Sequence, residues 1–247
     1  WPDLACFADT GAEPSYVYEH LGKMVELCKE KDFRLDMIQF GDIADDMLGI
    51  GKGADPKRFA AAPLFTRNAD SSVGMLRRQC TREYKITPIH NHIKRTILGM
   101  KPFERMKTKL VSILGISVDE MGRAKESQNK WERMAYPLLD MRWRRADCIK
   151  YLQSIGMGQV KKSACVFCPY RSTTEWRIMK KHHPEDFEKA VQFDESVRHL
   201  HKKKRGGIKN EIYVHKSCEP LGEQTFGEEQ VDLWDSWEDE CDGVCGL

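Results

Sequence analysis

The sequence has no run of about 18 apolar residues, no charged segment leading into an apolar one at its start, no internal repeat and no HxxxH pair. After Lys216 it has no lysine or arginine at all. The first absence argues against a membrane helix and the second against secretion, so the expectation is a soluble, cytoplasmic chain with no membrane partner. The last absence reveals a charge asymmetry that the total hides. The 247 residues hold 40 Lys+Arg and 38 Asp+Glu, for a net charge of only +2. Ten of the acidic residues follow Lys216, from Glu219 to Asp242, so residues 1–218 carry 28 acidic against 40 basic residues. A basic body with an acidic tail suits a polyanionic ligand, a nucleotide or a nucleic acid.

Cysteine is abundant, with nine residues. Without an oxidising compartment, paired cysteines point to metal or iron-sulfur ligation before disulfides. Cys165-Val-Phe-Cys168-Pro169 is the strongest local signal, because a tight turn can bring two sulfurs to one point. A structural zinc site and a redox dithiol are the alternatives. Cys80, in Arg77-Arg-Gln-Cys80-Thr-Arg-Glu-Tyr-Lys85, and the terminal Cys241-Asp-Gly-Val-Cys245 could complete a four-thiolate site from three distant segments. Cys6, Cys28 and Cys148 lie on apolar faces and read as small buried hydrophobes. Cys218, near His215, sits in a polar turn, and His182-His183 before Pro184 reads as a helix terminus.

Along the chain, residues 3–9 read as a strand, Val17, Leu21, Met24, Val25 and Cys28 as one face of a helix, and residues 33–40 as a second strand. This is a βαβ unit of a parallel sheet. Residues 41–79 read as a long loop, Pro88 opens a helix, residues 107–117 form a third strand, and Asp119 caps a short helix. Helices are expected over 145–155 and 184–204, with a capping box at Ser172-Thr-Thr-Glu175 heading another. A lone strand over 211–215 and an acidic helix over 228–240 complete the reading. The basic run 202–205 is a solvated helix end or a nucleic-acid contact.

Two strand ends could bind an anion. Asp9-Thr10-Gly11 closes the first strand ahead of a helix N-terminus, the edge where α/β sheets bind ligands. Gly115-Ile-Ser117-Val-Asp119-Glu-Met-Gly-Arg123 repeats the arrangement, and Arg123 would point from a first helical turn toward the crevice. Ordinary capped turns would explain both segments equally simply.

Taken in order, Phe7-Ala-Asp-Thr-Gly-Ala-Glu-Pro14, Arg78-Gln-Cys-Thr-Arg-Glu-Tyr-Lys-Ile-Thr-Pro88, Gly115–Arg123, Tyr136-Pro-Leu, Lys162-Ser-Ala-Cys-Val-Phe-Cys-Pro169 and Glu240-Cys-Asp-Gly-Val-Cys-Gly246 span almost the whole chain. Together they resemble the phosphoadenosine phosphosulfate reductase-like branch of the PP-loop ATP pyrophosphatases, or adenine nucleotide alpha hydrolases, in the versions carried by phages and prophages. The resemblance implies an α/β fold with a doubly wound parallel sheet. A nucleotide-binding domain would occupy residues 1–130, and a mostly helical C-terminal region, residues 131–247, would be stapled by a cysteine-ligated metal centre. It implies ATP or an adenylyl sulfate with Mg as ligand, an adenine nucleotide at Asp9, Thr10, Gly11, Arg82, Ser117 and Asp119, and Lys85 and Arg123 as the catalytic cations. A 4Fe-4S cluster, with zinc as the alternative, would sit on Cys80, Cys165, Cys168 and Cys245.

Two departures from the family pattern shape the expected activity. Gln79 replaces the first cysteine of the family's Cys-Cys pair, so a tail cysteine, Cys245 ahead of Cys241, is the expected fourth ligand. The family's Ser-Gly-Gly-like phosphate loop has no match here and is expected just upstream of Trp1. The expected activity is adenylylation of an acceptor, tRNA or DNA among the candidates, with pyrophosphate release ahead of sulfur transfer or nucleic-acid modification. Sulfonucleotide reduction and a non-catalytic zinc-stapled binding module are the rivals.

Overall fold

The computed structural model describes residues 2–51, 62–158, 160–203 and 208–227. The expected acidic helix over 228–240, the second half of the 202–205 run, and Cys241 and Cys245 lie outside them. Among the described residues no helix is long and apolar enough to cross a membrane.

The chain is mixed α/β with parallel strand pairs. β1 (Ala5–Asp9) and β2 (Leu35–Gln39) run parallel in the register Ala5↔Leu35 to Asp9↔Gln39, joined by α1 (Ser15–Glu30). Val17, Leu21 and Cys28 are the buried positions of α1, as the helical spacing predicts. Pro14 gives α1 no side-chain cap. A distant residue supplies one instead, since Asp186 accepts from the Ser15 backbone N–H at 2.9 Å and from Ser15 Oγ at 2.8 Å.

The expected long loop over 41–79 holds real elements. α2 (Ile43–Leu48) begins at Asp42, whose side chain accepts from the N–H groups of Ala44 and Asp45, and ends at Gly49 in the left-handed conformation. A short hairpin follows, β3 (Phe65–Arg67) antiparallel to β4 (Val73–Met75). Helix forms earlier than Pro88. Residues 81–97 are helical throughout, with wide π-type turns at Thr81–Ile86 and Ile93–Ile97 flanking α3 (Thr87–His92).

The expected 107–117 strand is trimmed to β5 (Leu110–Ile113), which pairs in parallel with a strand the sequence pattern conceals, β6 (Glu132–Ala135). Asp119 is not the cap. The 3₁₀ helix Val118–Arg123 starts after Ser117, and the Asp119 carboxylate instead accepts from the Arg145 N–H at 2.6 Å.

α4 (Pro137–Asp140), α5 (Arg145–Ser154), α6 (Thr173–His182) and α7 (Pro184–Val197) make up the helical second half. The capping box is present on α6: Ser172 Oγ accepts from Glu175 N at 3.1 Å, and Glu175 Oε2 accepts from Ser172 N at 2.7 Å. The expected 184–204 helix ends at Val197, followed by a 3₁₀ turn at Leu200–Lys203. β7 (Ile212–Tyr213) adds to the free edge of β3.

The largest core lies around α6 and α7. Trp176, Met179, Phe187, Phe193 and Val197 pack with Ile43 and Met47 of α2, with Leu64, and with Val166 and Phe167 of the cysteine segment. Phe167 and Phe193 stack at 3.6 Å between centroids. This core joins the first third of the chain to the last. β5, β6 and α5, by contrast, contain no buried residue.

Candidate functional site

Three segments distant in sequence meet at one cavity of about 110 Å³. The end of β1 brings Thr10, the first wide helical turn brings Cys80, Thr81 and Lys85, and the loop before α6 brings Ser163, Cys165, Cys168 and Tyr170. Ile43, Phe167 and Pro169 supply apolar wall, and Arg78 lies on the lining. Thr81 and Lys85 are four residues apart on the helical stretch, which sets both on the cavity side. Tyr84, buried between them, anchors the turn through its hydroxyl, 2.7 Å from Asp46 Oδ2.

A buried carboxylate organises the site. The Glu13 side chain is fully buried. Its Oε1 faces Lys85 Nζ and accepts from Thr10 Oγ1, both at 3.4 Å, and its Oε2 accepts from Ser163 Oγ at 3.0 Å. Thr10 Oγ1 also lies 3.3 Å from Cys165 Sγ. Burial alone would lower the Lys85 pKa, but the charge of Glu13 and its hydrogen bond outweigh burial, and the pKa is raised. Lys85 therefore stays a cation between a carboxylate and two sulfurs. The Cys165 thiol is pushed up to about 12, mainly by burial and then by the Glu13 charge, with Lys85 and the Thr10 hydroxyl opposing. Without a metal it is a neutral, poorly nucleophilic thiol.

The cysteine turn is held from outside the cavity. Cys168 N donates to Cys165 O at 2.9 Å, and Val166 N to Ala12 O at 2.8 Å, fastening the turn to the β1 end. The buried Arg171 guanidinium donates to Ala164 O at 2.7 Å and Cys165 O at 3.1 Å. Arg78 lies over the Tyr170 ring at 5.7 Å and donates to Thr81 Oγ1 at 2.6 Å.

Of the expected site residues, Thr10, Cys80, Lys85, Cys165 and Cys168 thus come together. Gly11 adjoins them with φ +76°, where a side chain is strained, and a Cβ there would lie 2.6 Å from Asp42 Oδ2. Asp9 folds back, accepting from Gly11 N at 2.8 Å and Tyr18 Oη at 2.9 Å. Arg82 is exposed and does not line the cavity. Ser117, Asp119 and Arg123 are also absent from the lining. Arg123 pairs with Glu120 in its own turn, and Ser117 Oγ lies 3.5 Å from Asp119. Among the described residues no set of three or more His, Cys, Asp or Glu side chains is drawn together closely enough to hold a single metal ion.

The residues that sequence reasoning missed are Glu13, Arg78, Ser163 and Arg171. Glu13 carried one signal, an acidic residue between a Gly turn and the Pro that opens a helix, but its partners at positions 85 and 163 are visible only in three dimensions. No family model, curated protein or solved structure matches the chain.

Proposed function

We propose that this chain is a nucleotide-activating enzyme of the phosphoadenosine phosphosulfate reductase-like kind. It would bind an adenine nucleotide at the strand ends and adenylylate an acceptor with release of pyrophosphate. The observation that carries the reading is the meeting of Thr10, Cys80, Lys85, Cys165 and Cys168 on one cavity lined by two cations, Arg78 and Lys85. An acceptor nucleophile would attack the α-phosphorus of ATP. The new bond to phosphorus forms as the bond to the β-phosphate oxygen breaks, and pyrophosphate leaves with the electron pair. Lys85, held charged and aimed by Glu13, stabilises the negative charge that develops.

The doubly wound sheet belongs to the same proposal. β1–β2 and β5–β6 are two parallel pairs fastened to one helix: His92 of α3 lies 2.6 Å from Asp36 of β2, and His90 lies 3.0 Å from Glu132 of β6. As halves of one sheet they would direct Thr10 and the Ser117–Arg123 turn at a common crevice, where Arg123 would exchange Glu120 for a phosphate.

A 4Fe-4S cluster, with zinc as the alternative, is the group we assign to this site, because Cys80, Cys165 and Cys168 line one cavity and Lys85 would offset thiolate charge. Cys80, Cys165, Cys168 and Cys245 would hold it, and a bound 4Fe-4S cluster would supply either a rigid staple or a sulfur-handling centre. The test is anaerobic purification followed by metal analysis and a pyrophosphate-release assay with ATP. Iron and sulfide in the protein with pyrophosphate formed on ATP addition support the reading. Sulfite release from an adenylyl sulfate with a thiol reductant would replace it with sulfonucleotide reduction. A colourless zinc protein without turnover would replace it with a binding module.

A further inference from the structure

The loop 99–109, between the 81–97 helical stretch and β5, carries a side chain for which folding gives no reason. Phe103 is completely exposed, at 102%, and its φ is +66°, a left-handed conformation that bulky residues avoid. It occupies the third position of a tight turn closed by Glu104 N donating to Lys101 O at 3.1 Å, with Pro102 second. A positive φ at that position ordinarily calls for Gly or Asn. The turn is well tied. Lys101 N donates to Glu104 Oε2 at 2.8 Å, Met100 N to Lys94 O at 2.8 Å, and Arg95 Nη1 to Met100 O at 2.9 Å. Phe103 therefore neither buries apolar surface nor suits its backbone, and strain of this kind points to use.

Its surroundings indicate the use. Between residues 94 and 109 six lysines and arginines meet one acidic residue, Glu104, whose carboxylate is already engaged inside the turn. Lys101, Arg105 and Lys107 are exposed in the same loop. A flat aromatic face inside a positive field matches a polyanion with flat faces of its own. An anionic membrane would call for several apolar tips as exposed as Phe103, and here Met100 and Met106 are half-buried while Ile97 and Leu98, at the end of the helical stretch before the loop, are each only 37% exposed.

We propose that the 99–109 loop is a nucleic-acid contact in which Phe103 stacks on an unpaired base while Lys101, Arg105 and Lys107 meet the flanking phosphates. None of these residues lines the cysteine cavity. The inference gives the proposed acceptor a surface, and its test needs no turnover, so it stands or falls separately from the chemistry proposed there.

The test is fluorescence anisotropy with the whole chain and labelled single-stranded RNA, single-stranded DNA and duplex DNA, at low and at physiological salt. The expected result is tighter binding of a single strand than of duplex, the RNA and DNA arms deciding which. Phe103→Gly should weaken that binding about fivefold or more. Its melting temperature should not fall, because glycine suits the turn. The combined Lys101→Glu, Arg105→Glu and Lys107→Glu variant should lose more than about tenfold and flatten the salt dependence by about two to three phosphate contacts. The proposal is overturned by absent binding, by duplex bound as tightly as single strands, or by Phe103→Gly at full affinity. Phe103-dependent sedimentation with phosphatidylserine vesicles but no oligonucleotide binding would likewise overturn it, assigning the loop to membranes.

Discussion

The two strand ends look alike in sequence, each an apolar run closing on Gly and a hydroxyl residue ahead of a helical turn, yet they are built differently. The end of β1 is knitted to the rest of the molecule by long-range contacts: Thr10 to Cys165, Ala12 to Val166, Glu13 to Lys85 and Ser163. The end of β5 is satisfied nearer home, with Arg123 on Glu120 and Asp119 on the Arg145 backbone. The first end shares a buried core with α6 and α7, whereas Val111 and Ile113 of β5 remain 45% and 48% exposed. Similar motifs can thus mark a preorganised site in one place and a loosely held one in another; the difference lies in which distant residues arrive.

The largest expected contrast is in stability. Phe167 is buried, stacks on Phe193 and forms wall of the cysteine cavity, so Phe167→Ala should cost about 3–5 kcal/mol. Ile113→Ala, at a half-exposed position, should cost under about 1 kcal/mol. Urea unfolding of the two variants measures both, and equal losses would mean that β5 is packed as firmly as the β1 end. A catalytic contrast comes next. Lys85→Met should lower pyrophosphate release about 100-fold, as expected for one preorganised charged donor. Arg123→Met should do less, because Arg123 must first leave Glu120. Equal losses would place both cations on one ligand and strengthen the doubly wound sheet.

The glycines provide the backbone version of the same contrast. Gly11 has a left-handed φ and abuts Asp42, so Gly11→Ala should cost about 1–2 kcal/mol or more. Gly115 has an ordinary φ, and a Cβ there would meet only Leu138 Cδ1 at 3.8 Å, so Gly115→Ala should stay within about 0.5 kcal/mol. Thermal melts of the pair decide whether the two motifs differ as described.

Legibility followed the same divide. That Cys165 and Cys168 share one turn was legible because only two residues separate them, and that Lys85 lies near Cys80 was legible from their five-residue spacing. The βαβ opening and the Ser172–Glu175 box were legible because spacing alone determines them. Glu13, Ser163 and Arg171 were not, since each acts through a partner that only the fold brings near. β6 escaped because Glu132-Arg-Met-Ala135 has no apolar alternation, and the β3–β4 hairpin because its three-residue strands are too short to show a period. α2 was hidden among glycines, although Asp42 and Gly49 flank it as cap and stop.

The last test asks whether the β5–β6 region is nonetheless ordered by polar contacts. Glu132 is a carboxylate with four side-chain donors or partners: Ser112 Oγ at 2.6 Å, Ser127 Oγ at 2.7 Å, Asn129 Nδ2 at 3.2 Å and His90 at 3.0 Å. Burial would raise its pKa, but these bonds outweigh burial and hold it down at about 2. The folded chain keeps this carboxylate ionised where the unfolded chain, with an ordinary Glu value of 4.5, already binds a proton. The stabilisation is therefore fully present above the ordinary value and is lost as pH falls toward about 2. Glu132→Gln should cost about 1 kcal/mol near neutral pH, and the gap from the parent chain should close across that acid window. The check is a set of urea midpoints measured down the acid limb for both chains. A gap that stays constant with pH would mean that the cluster holds β6 by shape alone, and that the carboxylate's charge contributes nothing to fastening β5–β6 onto α3.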